Sequence, residues 1–168
     1  NPDGLDITYD LENKHAKIIE TSTGISHEYA DEGNGNKVLE LITDTNNNLY
    51  SELVVSLYEG SRRVREDKYD ISDLKMPKET RYFSYLSGGA DSIAKEERID
   101  YELGTSKTYR FVLDHSGSVN ILLDENNNII ERYSYDSFGN RNGYAPDYSI
   151  RQSSQYNNEF GYNGRNFV

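Results

Sequence analysis

The chain has 168 residues, a formal net charge of −11 and 35% hydrophobic residues, with 15 Tyr, 5 Phe and neither Trp nor Cys. The absence of Cys excludes disulfides, Cys-ligated zinc, iron–sulfur clusters and a thiol nucleophile. The acidic balance argues against binding to nucleic-acid phosphates, and no apolar run is long enough to span a membrane.

Low hydrophobic content and high net charge are typical of disordered chains. The many Tyr, Ile, Leu and Val residues in short clusters instead favour a folded, strand-rich protein with a thin apolar core. The chain begins at Asn1-Pro2-Asp3-Gly4 without an initiator Met or a leader. We therefore expect it to be a piece of a longer polypeptide.

The N-terminal part alternates short β-prone runs with polar turns. Strands are predicted at residues 5–10, 17–20, 26–29, 37–42 and 49–58, with turns at 31–36 and 44–48. Residues 60–68 have some helical character, but their place between two Tyr-containing runs favours a strand. Four tyrosines recur at spacings of 20, 21 and 19 residues: Tyr9, Tyr29, Tyr50 and Tyr69. This period predicts one hairpin per repeat, stacked into a continuous sheet.

The same alternation is clearer further along the chain. Residues 107–113, 118–123 and 129–135 are β-prone runs, and turns follow them at 114–117, 124–128 and 136–139. Asp, Asn and Gly dominate these turns because they tolerate positive φ or hydrogen-bond to their own backbone. The pattern predicts consecutive antiparallel hairpins.

The run 129–135 shows how mixed the strand faces are. Alternation places Ile129, Glu131, Tyr133 and Tyr135 on one face and Ile130, Arg132 and Ser134 on the other. Because neither face is purely apolar, we expect both faces to meet water or to lie beside Tyr rings with solvated hydroxyls, as in a large sheet curved into a shell.

Residues 109–140 read YRFVLDHSGSVNILLDENNNIIERYSYDSFGN. They resemble the core of the Rhs/YD-repeat family, which repeats a D-H-L-G-S-V segment, a D-x-x-G-N turn and a Y-x-Y-D-x-F-G element. The matching positions are Asp114, His115, Gly117, Ser118, Val119, Tyr133, Tyr135, Asp136, Phe138 and Gly139. Gly60–Arg65, Arg81–Ala94 and Phe160–Arg165 resemble further elements of the family in the same order. Ser116 replaces the usual Leu and Ser137 the usual Pro, which we expect to alter turn detail only.

The resemblance implies an all-β fold of consecutive antiparallel hairpins (YD repeats) that form part of a spirally wound β-shell. It also implies two regions. Residues 1–55 form divergent YD-type hairpins, and residues 56–168 form an Rhs repeat-associated core that stops before the family's usual autoprotease segment. No autoprotease aspartate pair is therefore carried over to this sequence.

In this family, the shell encloses a C-terminal toxin polypeptide within a secreted or injected toxin. The resemblance thus implies a structural bacterial protein without catalysis of its own, located outside the producing cell or at its surface. Its implied partners are the rest of the parent polypeptide, the toxin cargo and a secretion-machinery or cell-surface partner, with no cofactor, metal or nucleic acid. The alternative is a YD-repeat cell-surface module for adhesion or carbohydrate binding, without cargo.

Two Asn-rich turns superficially resemble calcium loops. Asp44–Asn48 and Asp124–Asn128 carry oxygen donors at loop positions one, three and five. Neither has the Gly at position six or the Glu at position twelve that an EF-hand requires. Hairpin turns are predicted, with weak calcium binding as a minor alternative.

Asp114, His115, Ser116 and Ser118 suggest a catalytic triad only by adjacency. Triads assemble from distant segments and need an oxyanion hole, so we expect the His115 imidazole to hydrogen-bond across its turn instead. The three histidines lack metal-ligand spacing: His15, His27 and His115.

The remaining candidates also have structural explanations. Alternation places Arg63 and Arg65 on one strand face and Arg62 on the other, with cross-strand pairing to acidic residues predicted. The glycines of Gly33–Gly35 and Gly88–Gly89 lack the spacing of phosphate loops. The tyrosines are predicted to stack in cross-strand ladders rather than to bind sugars.

Overall fold

The computed structural model describes residues 4–10, 14–33, 35–46, 51–86 and 92–164. In this part of the chain, thirteen antiparallel strands form one sheet, and their order across the sheet is their order along the chain. A single 3₁₀ turn at Tyr162–Gly164 is the only helical element among these residues. The predicted all-β fold of consecutive hairpins is confirmed, and it fits a section of a β-shell.

The first six strands are β1 (Leu5–Tyr9), β2 (His15–Glu20), β3 (Ile25–Asp31), β4 (Lys37–Asp44), β5 (Ser51–Glu59) and β6 (Arg62–Asp70). The next seven are β7 (Glu79–Tyr85), β8 (Ile93–Asp100), β9 (Thr105–Leu113), β10 (Val119–Leu123), β11 (Ile129–Tyr135), β12 (Arg141–Tyr144) and β13 (Ile150–Arg151). Tyr9 and Tyr29 lie on the first strands of successive hairpins, whereas Tyr69 lies on the second strand of its hairpin. The tyrosine period therefore does not mark equivalent positions, and Tyr50 lies outside the described residues.

The chain divides into two compact units. The first contains residues 1–81 and 99–105, and the second contains residues 82–98 and 106–168. The division between residues 55 and 56, which rests on sequence resemblance, falls within β5. That division stays a prediction about the sequence.

One five-residue turn recurs between the strands. Between β10 and β11, the Asp124 amide donates to the Asn128 carbonyl at 3.0 Å, and the Asn128 amide donates to the Asp124 carboxylate at 2.8 Å. Asn127, the fourth residue, has a φ of 64°, which Asn and Gly tolerate best. The same two bonds link Asp10 to Lys14, Asp114 to Ser118 and Asp136 to Asn140. The abundance of Asp, Asn and Gly thus reflects a repeated turn.

The fourth position of this turn gives a direct test. Gly117 has a φ of 82°, and a Cβ there would meet only the Ser92 hydroxyl at 3.9 Å. Gly117→Ala should therefore lower the free energy of unfolding by about 1–2 kcal/mol through backbone strain alone. Gly33→Ala is the matched control, because Gly33 has no positive φ and a Cβ there meets nothing within 4 Å. Equal effects in denaturant unfolding would contradict the turn geometry.

The apolar core of the second unit is a cluster of mostly aromatic residues. Its buried members are Phe83, Ile93, Tyr109, Phe111, Val119, Leu122, Tyr133 and Phe160. Phe160 packs edge-to-face against both Phe83 and Phe111, with ring centroids 5.5 Å apart in each pair. Such aromatic pairs add to the stabilisation that burial of the rings provides. The thin core predicted from composition is concentrated here.

One face of β11 is buried at its centre, so the expectation that both faces meet water is wrong there. Glu131 and Tyr133 are buried, whereas on the other face Ile130 and Arg132 are half-buried and Ser134 is exposed. The polypeptide that follows β13 covers the first face. Strand alternation alone does not reveal this covering segment, because it lies some 20 residues further along the chain.

In the first unit, one face of the sheet carries an apolar ladder. Leu41 pairs with Leu53 and Leu39 pairs with Val55, so these four side chains share a face. Leu39 is exposed and the other three are half-buried. The ladder supplies local hydrophobic contacts without a deep core.

Candidate functional site

The residues that suggested a catalytic triad build a turn. The Asp114 carboxylate accepts hydrogen bonds from the Ser116 amide at 2.8 Å, the Ser116 hydroxyl at 2.7 Å and the Ser118 amide at 3.0 Å. His115 is exposed, and none of the described residues hydrogen-bonds to its ring. The prediction that its imidazole bonds across the turn is therefore wrong. The shorter Asp114 side chain orders the turn instead, because its carboxylate accepts hydrogen bonds from the backbone amides two and four residues later in the chain.

The Asp124 carboxylate likewise accepts hydrogen bonds from residues of its own turn. One oxygen accepts the amides of Asn126 and Asn128, and the other accepts the Asn128 side-chain amide at 3.0 Å. Among the described residues, no group of three or more acidic or histidine side chains is placed to hold a metal ion. The similar run 44–48 lies partly outside the described residues.

The recurring turn also lowers carboxyl pKa values. The Asn140 side chain donates to the Asp136 carboxylate at 2.7 Å and is the main cause that holds the pKa of Asp136 below its ordinary 3.8. Asn140→Ala should raise the pKa of Asp136 towards 3.8 in an NMR titration. Because the folded pKa is the lower one, this carboxylate stabilises the fold above pH 3.8, and the effect is lost as pH falls through the folded pKa.

Asn142→Ala is the matched control for that titration, because Asn142 is exposed on the neighbouring strand β12. It should leave the pKa of Asp136 unchanged. A shift of the same size in both variants would mean that the Asn140 side chain is not the cause.

A β-bulge separates arginines that alternation placed together. Leu57 pairs with Arg65, but the next residue, Tyr58, pairs with Arg63. Because Leu57 and Tyr58 point to opposite faces, Arg63 and Arg65 do so too. The prediction that these two arginines share a face is therefore wrong.

The two arginines compensate two consecutive buried carboxylates. Arg63 Nη1 lies 2.5 Å from Glu66 Oε2, and Arg65 Nε lies 2.9 Å from Asp67 Oδ2. Asp67 also accepts a hydrogen bond from the Thr80 hydroxyl at 2.6 Å. Buried charges persist when they are paired and hydrogen-bonded in this way. The Arg63–Glu66 and Arg65–Asp67 ion pairs therefore neutralise one buried carboxylate on each face of β6.

A densely bonded polar site in the described part of the second unit centres on Glu131, which sequence reasoning did not single out. Glu131 is 1% exposed. Its Oε1 accepts from Arg151 Nη1 and the Gln155 amide, both at 2.8 Å. Its Oε2 accepts from the Ser154 hydroxyl at 2.6 Å and from the Tyr133 hydroxyl. Four donors offset the cost of burying the charge, so the carboxylate serves as an anchor.

That anchor holds a segment that we call the strap, residues 152–163. Its start is bound by Glu131, and its middle places Phe160 in the aromatic core. Its end is bound where the Val119 amide donates to the Gly161 carbonyl at 3.1 Å and the Asn163 amide donates to the Ser118 hydroxyl at 3.0 Å. Three separate attachments therefore fix the strap to the strands of the second unit.

Two tyrosine pairs of the second unit join strands to the strap. Tyr109 meets Tyr156 at 5.9 Å and Tyr135 meets Tyr162 at 5.8 Å between ring centroids. These contacts differ from the predicted cross-strand ladders. Burial raises the pKa of Tyr135, whose hydroxyl donates to the Val119 carbonyl at 2.7 Å.

The two histidines whose side chains the structure describes belong to different units. His27 Nδ1 lies 2.7 Å from Glu40 Oε1 in the first unit. Burial, reinforced by Glu40, raises the pKa of the neighbouring Tyr29 to about 12. His115 lies in the second unit, and the side chain of His15 is outside the described residues.

No helix in the described part of the chain is long and apolar enough to cross a bilayer. The main features of the described structure are a sheet whose strands follow the order of the chain, a five-residue turn that recurs in it, and the anchored strap.

Neither a protein-family model nor a curated protein matches the sequence. Among solved structures, the chain is similar to the crystal structure of TcdB2-TccC3-TEV, with a TM-score of 0.65 and 12% identity. It is also similar to TcdB2-TccC3-Cdc42, with a TM-score of 0.58 and 12% identity. Each match covers 97% of this chain and 8% of the matched chain. At this identity, the similarity shows a shared fold.

Proposed function

We propose that this chain is part of the wall of a larger β-shell that encloses a toxin polypeptide, in a bacterial protein that is secreted or injected. The observation that carries the proposal is the fold similarity to TcdB2-TccC3 over 97% of this chain. Those structures are of Tc toxin complexes, and TccC3 contains Rhs sequence. The motifs between Asp114 and Gly139 resemble the Rhs/YD-repeat core independently, so sequence and fold support the same kind of shell.

The physical properties of the sheet suit a wall. Each hairpin pairs with the next, which allows a sheet to extend without closing around a single core. Charges within the wall are neutralised locally, as with Glu66 and Glu131. The proposal assigns no catalytic role to this region, because the Asp114 and Glu131 carboxylates are engaged in turn and anchor bonds.

The test uses the native gene product that contains this chain. Under limited proteolysis, a segment outside these 168 residues should be protected, and Phe160→Ala should make it sensitive by loosening the wall. Phe138→Ala is the matched control, because Phe138 is 91% exposed, and it should preserve the protection. A gene product with no protected segment would contradict enclosure. Specific binding to cells or glycans without a protected segment would support the adhesion alternative.

A further inference from the structure

One end of the first unit carries a cluster of exposed apolar side chains, which we call the end patch. Ile71, Leu74 and Met76 lie in the loop between β6 and β7, and Tyr101 and Leu103 lie in the turn between β8 and β9. Met76 is 65% exposed and Leu103 is 74% exposed. Soluble proteins expose contiguous apolar patches mainly where they bind partners.

A backbone hydrogen bond brings the loop and the turn together. The Tyr101 amide donates to the Lys78 carbonyl at 2.9 Å. Met76 precedes Lys78 by two residues and Leu103 follows Tyr101 by two residues, so the two most exposed members of the end patch lie close to this bond along the chain.

Both segments are ordered by their own side chains. The Ser72 amide donates to the Asp70 carboxylate at 2.8 Å, and the Leu103 amide donates to the Asp100 carboxylate at 2.9 Å. The Lys75 amide donates to the Asp73 carboxylate at 3.2 Å. The apolar side chains therefore project from a fixed backbone, which lowers the entropy cost of binding.

Acidic groups predominate around the end patch. The loop and the turn, together with the strand ends that lead into them, carry the carboxylates of Asp70, Asp73, Asp100 and Glu102 and the lysines Lys75 and Lys78. Lys78 forms an ion pair with Glu52, so its charge is already compensated. An apolar centre with an acidic rim attracts a partner whose apolar residues are flanked by Lys or Arg, and it repels an acidic partner.

We propose that the end patch is a docking site for a basic amphipathic protein segment. A helix that presents apolar residues on one face and Lys or Arg beside them matches both the apolar centre and the acidic rim. Met76 suits such a site because its flexible thioether adapts to the shape of a partner. This site does not depend on enclosure of a toxin, so either proposal can fail without the other.

The test titrates the full chain into a labelled synthetic peptide of Leu and Lys at amphipathic helical spacing, with a Leu and Glu peptide as the counterpart. The Leu/Lys peptide should bind, and added salt should weaken it. The double variant Met76→Ser, Leu103→Ser should reduce the affinity about tenfold. Phe138→Ser, which removes an exposed apolar side chain of the second unit, should leave the affinity unchanged.

Three outcomes would overturn the proposal. The Leu/Glu peptide could bind as tightly as the Leu/Lys peptide, or Phe138→Ser could weaken binding as much as the double variant. Sedimentation could instead show a dimer that Met76→Ser, Leu103→Ser converts to a monomer, in which case the occupant of the end patch is a second copy of the chain.

Discussion

Phe160→Ala is expected to lower the free energy of unfolding of the second unit by about 3–5 kcal/mol. The Phe160 ring is buried and packs edge-to-face on Phe83 and Phe111. Its removal leaves a cavity in a small core and releases the middle of the strap. Denaturant unfolding followed by tyrosine fluorescence measures the loss.

Two further variants make this result specific. Phe160→Leu keeps much of the apolar volume and should cost less than Phe160→Ala. Phe138→Ala removes an equally large ring from a position that is 91% exposed, and it should change the free energy by no more than about 0.5 kcal/mol. A similar cost at Phe138 and Phe160 would show that the strap is not part of the cooperative core.

Glu131→Ala is expected to destabilise the second unit by about 3–5 kcal/mol. The Arg151 guanidinium would lose its buried counter-charge, and the donors of Ser154 and Gln155 would lose their acceptor. An unsatisfied buried donor costs more than the bond itself contributed. The free energy of unfolding and the hydrogen exchange of the Gln155 amide should both report the change.

Glu131→Gln separates charge from shape in this site. It keeps an oxygen acceptor and the side-chain volume, so its cost should lie between those of the wild type and Glu131→Ala. Glu125→Ala, in the exposed turn after β10, is the matched control and should have little effect. Unchanged protection of the Gln155 amide in Glu131→Ala would contradict the role of Glu131 as an anchor.

Features that depend on neighbouring residues could be predicted from the sequence. The turn from Asp124 to Asn128 is encoded within five positions, because its carboxylate and its positive-φ residue both lie inside it. The strand assignment of residues 60–68 was correct for the same reason, since β-type runs flank it on both sides. Local chemistry therefore sufficed for the hairpins and their order.

Features that depend on distant residues could not be predicted in this way. A bulge adds one residue to a strand, and no local sequence pattern marks its position. Simple alternation therefore placed Arg63 and Arg65 on the same face, although the bulge puts them on opposite faces. The burial of Glu131 depends on Arg151, 20 residues later, and on the strap beyond it. Phe160 lies in a motif that resembles one of the Rhs/YD-repeat family, but its position in the core emerged only from the packing.

The similarity to TcdB2-TccC3 concerns the fold of the chain, and the motif resemblance concerns its sequence. The two observations support one another. A shared fold does not carry a shared activity. Protection of a segment outside these residues is therefore the decisive measurement for the proposed function, and the anchor and core variants supply the means to disturb the proposed wall selectively.

Each strand of this sheet lies beside the strands that precede and follow it in the chain. Pairing therefore closes short loops, which costs little chain entropy and favours rapid folding for a β protein. The strand with which a newly synthesised strand pairs has already been synthesised, because it is the preceding strand in the chain. The sheet can therefore grow one hairpin at a time during translation. The order of synthesis then becomes the order of assembly, and among the described strands the growing sheet has its unpaired edges at β1 and at the most recent strand.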